Sequence, residues 1–281
     1  MIGAQLSLKR LYKGKGKKGK CSNERGITLA SNFGKLYERI INNRVLAEIN
    51  ITDAQAGGQK GRATTDHLLV LKELIKIAQN MGKPIHIVFL DVTKAYDKAW
   101  LDAIMYVMNK EGLKSNLWNL VRKLNQNLTA RIQTHHGLTR PIQIRDSIRQ
   151  GGVLSVAQYA LLMDEINKEI EINAKGITVP NTEKKVGCLL WMDDVALIST
   201  EEKELQEMLN ITNDISKRYH IEFGKAKSKV MTIGKNKKKK RKEQPITEQT
   251  SSPEMEGLKL GDMIIEPTES YKYLGEHALL Q

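Results

Sequence analysis

Apolar residues follow two periods along the chain. Phe33, Leu36, Tyr37, Ile40, Ile41, Val45 and Ile49 recur at intervals of three and four, which predicts an amphipathic helix. A second helix is expected to begin near Thr65. Residues 85–91, IHIVFLD, are instead an almost unbroken apolar run ending in Asp91, the pattern of a buried central strand with an acidic C-terminal end. The next stretch, VTKAYDKAWLDAIMYVMNKEG (92–112), predicts a helix with Trp100, Ile104, Val107 and Met108 on its buried face and Asp97 as a cap or a partner for a cation. ARIQT (130–134) and PIQIR (141–145) flank HHGLTR as a hairpin, with His135 and His136 facing solvent at its tip. Tyr159, Leu162, Met163, Ile166 and Ile170 keep helical spacing, as do Leu205, Met208, Leu209, Ile215 and Tyr219 behind an expected capping box of Ser199 and Glu202. LKLGDMIIE (258–266) reads as a hairpin turned at Gly261 and Asp262, and YKYLGEHALL (271–280) as a second short element.

One stretch breaks the pattern. In LLWMDDVALIST (189–200) two adjacent carboxylates, Asp193 and Asp194, interrupt strand-like residues on both sides. This predicts a tight hairpin with the acids at its tip, because carboxylates are costly to bury and turns favour Asp. Taken alone, such a pair is more often an ordinary solvated turn. If the strand ending at Asp91 lies beside this hairpin, however, three carboxylates meet at one end of a sheet. Their mutual repulsion is offset by divalent cations, and two-metal phosphoryl transfer needs oxygen ligands around ions roughly 3.5–4 Å apart.

Composition narrows the setting. The chain has 281 residues, enough for one large or two modest units, and is 40% hydrophobic. Its net charge of +13 is concentrated: Lys9, Arg10, Lys13, Lys15, Lys17, Lys18 and Lys20 form one tract, and Lys235, Lys237, Lys238, Lys239, Lys240, Arg241 and Lys242 a second. Those 14 charges leave 13 − 14 = −1 for the remainder. Such tracts suit phosphate-backbone contact or nuclear targeting, although a solvated run accounts equally well for the second. The polar stretch 243–256 behind it reads as a linker. Cys21 and Cys188 have no metal-ligand spacing, which fits a reducing compartment, and no apolar run approaches about 18 residues. A soluble intracellular protein of nucleus or cytoplasm, away from membranes, is the expectation.

Three segments, in this order, resemble motifs A, B and C of reverse transcriptases of LINE-type, non-long-terminal-repeat retrotransposons: FLDVTKAYDKAW (89–100), RQGGVLS (149–155) and WMDD (191–194). RGITLASNFGKLYERIINNRV (25–45) and QAGGQKGRATTDHLL (55–69) are similar to the family's fingers motifs, KAKSKVM (225–231) to motif D, and KYLG (272–275) to motif E. The resemblance implies an α+β fold: a right-hand polymerase palm, its antiparallel sheet backed by helices, with a fingers subdomain. It divides the chain into a basic arm (1–24), fingers (25–84 and 112–146), palm (85–111 and 147–234), linker (235–256) and primer-grip region (257–281).

What the resemblance implies about chemistry is RNA-directed DNA synthesis, in which a DNA primer 3′-hydroxyl attacks a dNTP on an RNA template. Asp91, Asp193 and Asp194 would hold two Mg²⁺ ions, for which Mn²⁺ can substitute. Lys227 is the implied general acid for pyrophosphate, although Lys225 and Lys229 alternate with it on an expected short strand. Arg25 with Lys60 or Arg62 would grip the triphosphate. Tyr96 would exclude a ribose 2′-hydroxyl, and Gln150 and Gly151 would meet the nucleotide. Arg149, Gly152, Lys238, Lys240, Tyr273, Leu274 and Gly275 would contact nucleic acid.

The chain departs from the pattern where relatives carry an aromatic and an arginine, here Gly58 and Gln59, and where they carry a proline, here Val156. With six residues after Gly275, the thumb is expected to be missing, so the partners would include the thumb and endonuclease of a larger polyprotein. The rival expectation is a domesticated remnant that binds RNA through its basic tracts.

Overall fold

Ile85, Ile87, Val88, Phe89 and Leu90 are all buried, because the strand they form is covered on both faces. Burial of five such side chains contributes roughly 8–15 kcal/mol before conformational entropy is deducted, which anchors the strand that ends at Asp91. The computed structural model describes residues 5–234 and 257–279, apart from positions 15, 18, 21, 22, 135, 145, 146 and 174. Lys238, Lys240, the linker and His135 therefore lie outside the described residues.

The chain begins β1 (Gln5–Tyr12), β2 (Glu24–Leu29), α1 (Asn32–Glu48), α2 (Thr64–Asn80), β3 (Ile85–Asp91), α3 (Leu101–Lys110), α4 (Ser115–Asn125), β4 (Thr129–Thr134), β5 (Gly137–Leu138) and β6 (Ile142–Gln143). It continues α5 (Val153–Ile172), β7 (Ile177–Thr178), β8 (Lys185–Val186), β9 (Cys188–Trp191), β10 (Asp194–Ser199), α6 (Glu202–Tyr219) and β11 (Lys229–Ile233). It ends β12 (Lys259–Leu260), β13 (Met263–Ile264), β14 (Glu266–Pro267), β15 (Ser270–Tyr273) and β16 (Glu276–Leu279).

The central sheet has the order β14-β11-β3-β10-β9, antiparallel except for the β11–β14 pair. Val88, Leu90, Val195 and Leu197 face a core shared with α1, α3, α5 and α6. Phe89, Ala196 and Ile198 face a second core, built with Leu71, Leu74 and Ala78 of α2 and Tyr273 of β15. Thus α2 packs on the central sheet. A second five-stranded sheet has the order β2-β1-β4-β5, with β6 also on β4.

Four local expectations change. Residues 5–12 are a strand, antiparallel to β2 and parallel to β4, and not an extended arm. Leu8 packs on Leu128 and Ala130, and Arg10 pairs with Glu24 at 3.2 Å. The helix expected from Val92 starts at Leu101, after a run of turns, so exposed Asp97 does not cap it; Trp100 is the N-cap and stacks on His220. In α1 the buried positions are Glu38, Ile41 and Val45, whereas Phe33 is 86% exposed and Leu36, Tyr37 and Ile40 also lie outside the core. Ser199 pairs with Glu204 and accepts the Glu201 N–H at 3.0 Å, so Glu202 is not its partner in a capping box.

Candidate active site

The β9–β10 turn consists of Met192 and Asp193, since Trp191 and Asp194 are already register partners. Asp193 alone therefore sits in the turn, and Asp194 opens β10 directly opposite Asp91 on β3. A cleft of about 340 Å³ opens where these strands end, and Arg25, Asp91, Tyr96, Gln150, Asp193 and Lys227 all line it. These six come from five separate segments, and each was singled out in the sequence.

The carboxylates feel one another. Burial raises the Asp194 carboxyl to about 6, with Asp193 and then Asp91 adding repulsion. Asp193 is raised in the same direction, first by burial and then by Asp91, while Lys227 and Arg25 oppose the shift. Lys227 Nζ donates to both oxygens of Asp91, at 2.8 and 2.9 Å. Lys225 and Lys227 lie in a turn rather than on a strand, and Lys229, which opens β11, pairs with Glu266 at 2.5 Å. Of the three lysines expected to alternate, Lys227 is thus the one on the acids. Burial, with the Asp193 charge second, pushes the Tyr96 phenol up to about 12, so it stays neutral.

Hard oxygen donors with no thiolate or imidazole among them suit Mg²⁺ or Mn²⁺, and in this respect the acids fit the ions their repulsion calls for. Among the described residues, however, no three His, Cys, Asp or Glu side chains converge into a group able to hold a metal ion. Asp91 is engaged by Lys227, which would have to withdraw.

Other expected contacts lie elsewhere. Arg149 is 6% exposed and pairs with Glu38, whose carboxylate also accepts the Val153 N–H at 2.9 Å at the start of α5. It ties α1 to α5 and is not presented to nucleic acid. Gly151, at φ +102°, lies against β2, where an added Cβ would meet the Thr28 carbonyl oxygen at 3.0 Å. Gly152 is buried as the N-cap of α5. Tyr273 is buried against Phe89, with ring centroids 5.2 Å apart, and so turns away from any primer. Leu274 and Gly275 form the turn between β15 and β16, both at positive φ.

The Gly-rich loop expected to grip a triphosphate braces the β9–β10 hairpin. Ala54 and Ala56 pair with Leu190 on the free edge of β9, at 2.8 and 3.0 Å. Gln55 Oε1 accepts the N–H groups of Met192 and Gly57, and the Gln59 amide closes the loop onto the carbonyls of Thr52 and Gln55. Arg62 pairs with Asp53, and Lys60 lines a different cavity, between α1 and α5. Of the expected triphosphate cations, Arg25 alone lines the acid cleft.

Sequence reasoning missed Gln55, Glu38, Tyr159 and Tyr271. Gln55 and Glu38 carried no signal, being polar residues beside turns or on an amphipathic helix. Tyr159 was assigned to the core by its spacing. Tyr271 stacks flat on Phe89, with centroids 4.3 Å apart, and donates its hydroxyl to the Lys227 carbonyl at 3.0 Å.

A mainly antiparallel sheet with helices behind it and carboxylates at one end defines the palm of a right-hand polymerase. The chain belongs to the reverse transcriptase (RNA-dependent DNA polymerase) family, whose pattern matches residues 15–277. It is 29% identical over 178 residues to a retrovirus-related Pol polyprotein of a type-1 retrotransposable element from Popillia japonica, covering 63% of this chain and 25% of that protein. It is 24% identical to a probable RNA-directed DNA polymerase from transposon BS of Drosophila melanogaster, covering 89% of this chain and 27% of that one. The chain thus spans about a quarter of the length of these relatives. In fold it is similar to telomerase from Candida tropicalis, with a TM-score of 0.57 and 11% identity over 82% of this chain and 41% of the telomerase. Among the described residues no helix is long and apolar enough to cross a membrane.

Proposed function

We propose that this chain is the fingers and palm of an RNA-directed DNA polymerase of a non-long-terminal-repeat retrotransposon, extending a DNA primer with dNTPs on an RNA template. The observation that carries this reading is the single cleft shared by Asp91, Asp193, Tyr96, Gln150, Arg25 and Lys227. The thumb and endonuclease of a larger polyprotein would be its partners.

Asp91 and Asp193, with Asp194 beside them, would hold Mg²⁺. When bound, the ions would activate the primer 3′-hydroxyl and neutralise charge on the phosphates. The protein's own groups supply the rest. Arg25 lines the same cleft from β2 of the second sheet and would offset triphosphate charge. Tyr96, which lines the cleft, would close the side on which a ribose 2′-hydroxyl would sit. Gln150, held by its carbonyl on the Thr28 N–H at 2.8 Å, would pack against the incoming nucleotide. Lys227, released from Asp91, would donate the Nζ proton to the departing pyrophosphate oxygen.

Primer extension on an RNA template tests the reading. Wild type should extend the primer in Mg²⁺, and Asp193→Asn should slow it by on the order of 10²–10³, the scale of losing one preorganised charge in a site. Equal behaviour of the two chains would leave the RNA-binding remnant as the better description.

A further inference from the structure

Tyr96 lies in a run of turns, with no helix or strand of its own. Its backbone is held through its carbonyl, which accepts the Ile148 N–H at 3.3 Å. Its ring is packed, partly buried, against the core and stacks on Tyr159 of α5, with centroids 5.1 Å apart and 23° between planes. Tyr159 is 2% exposed, and its hydroxyl has no hydrogen-bond partner. A buried hydroxyl without a partner costs stability, so the hydroxyl is not what holds the helix in place. The ring, packed in the core that also contains α3 and α6, is the useful part. Tyr96 lines the acid cleft and Tyr159 stacks on it, so the pair stands beside that cleft and not in a remote part of the core.

We propose that Tyr159 is a positioning residue for sugar discrimination: it presents the Tyr96 ring at the height and tilt that leave no room for a 2′-hydroxyl. The inference rests on the reading of Tyr96 as the sugar-sensing group. A rigid α5, buried along nearly its whole length, then transmits its position to a residue that sits in a turn.

The test is ternary-complex formation by the 281-residue chain with Mg²⁺, an RNA template, a dideoxy-terminated primer and either the matching dNTP or the matching NTP. Tyr159→Leu should lower the preference for dNTP by about tenfold, the scale of one aromatic pair. Tyr159→Phe should keep both the preference and the melting temperature. In the double variant Tyr159→Leu with Tyr96→Val, the preference should fall no further than in Tyr96→Val alone. If Tyr159→Leu does not fold, Tyr159→Met, a flexible side chain of close volume, takes its place with the same expectation. Wild-type preference in the Leu and Met variants, where Tyr96→Val has lost it, overturns the inference alone. Unchanged preference in Tyr96→Val overturns the reading of Tyr96 and the inference with it. No ternary complex with either nucleotide in wild type overturns the polymerase reading and everything built on it.

Discussion

Gln55 and Met192 are 137 positions apart, yet the Gln55 side-chain oxygen accepts the Met192 N–H at 3.0 Å. Met192 occupies the left-handed region at φ +57°, which costs a residue with a Cβ roughly 1–2 kcal/mol. Gln55 stabilises this turn, in which Asp193 is the next residue. Gln55→Leu would leave the N–H groups of Met192 and Gly57 without partners. We expect a loss of about 1–3 kcal/mol in denaturant unfolding and a larger fall in primer extension. Gln55→Glu keeps an accepting oxygen but buries a carboxylate next to the Asp193 turn, so it should restore only part of either.

The Asp194 carboxyl, raised to about 6, sets a pH dependence with a definite sign. The folded chain holds this proton more tightly than the unfolded one. The stabilisation is complete below the unfolded value near 4 and is lost as pH rises through about 6. In metal-free buffer this group should make the melting temperature fall between pH 4 and pH 6. Asp194→Asn should flatten that slope and melt higher than wild type at pH 7. A slope of the opposite sign that vanishes in Asp194→Asn would show that the acids are not in repulsion.

On the proposed reading, a divalent cation would compete with Lys227 for Asp91. Lys227→Met should therefore bind Mn²⁺ several-fold more tightly in an electron paramagnetic resonance titration. Primer extension should slow by on the order of 10²-fold or more, the usual contribution of a general acid. Weaker Mn²⁺ binding in Lys227→Met would show that the lysine assists the metal site instead of guarding it.

Arg149 separates a structural role from a nucleic-acid contact. Arg149→Met would leave the Glu38 carboxylate buried without its cation, a loss of about 3–5 kcal/mol by thermal or denaturant unfolding. RNA affinity per folded molecule, measured at low temperature, should stay within twofold of wild type. A selective loss of RNA affinity at unchanged stability would return Arg149 to the interface.

Much of this was legible in the chain. The run 85–91 announced a strand covered on both sides, and the Asp193-Asp194 pair announced a neighbouring hairpin, although only Asp193 lies in its turn, because apolar patterning and the cost of burying charge are local properties. The helices of Tyr159 and Leu205 were equally plain. What escaped was decided by long-range pairing. The strand at 5–12 has only broken alternation, and it exists because β2 and β4 hydrogen-bond to either side of it. The loop around Gly58 has a composition that fits phosphate, but the open edge of β9 claims its backbone. Arg149 looked like a cation for nucleic acid because nothing near it in sequence reveals Glu38, which reaches it from α1.

Gly58 stands at φ +76°, and a Cβ built there would fall 2.3 Å from Cγ1 of Val156. The two places where this chain departs from the pattern it resembles are therefore in contact. A side chain at 58 would have to displace Val156 and also accept a left-handed backbone, which strains any residue with a Cβ whatever the space. A library that randomises 58 alone should return glycine, and so should one that varies 156 with it.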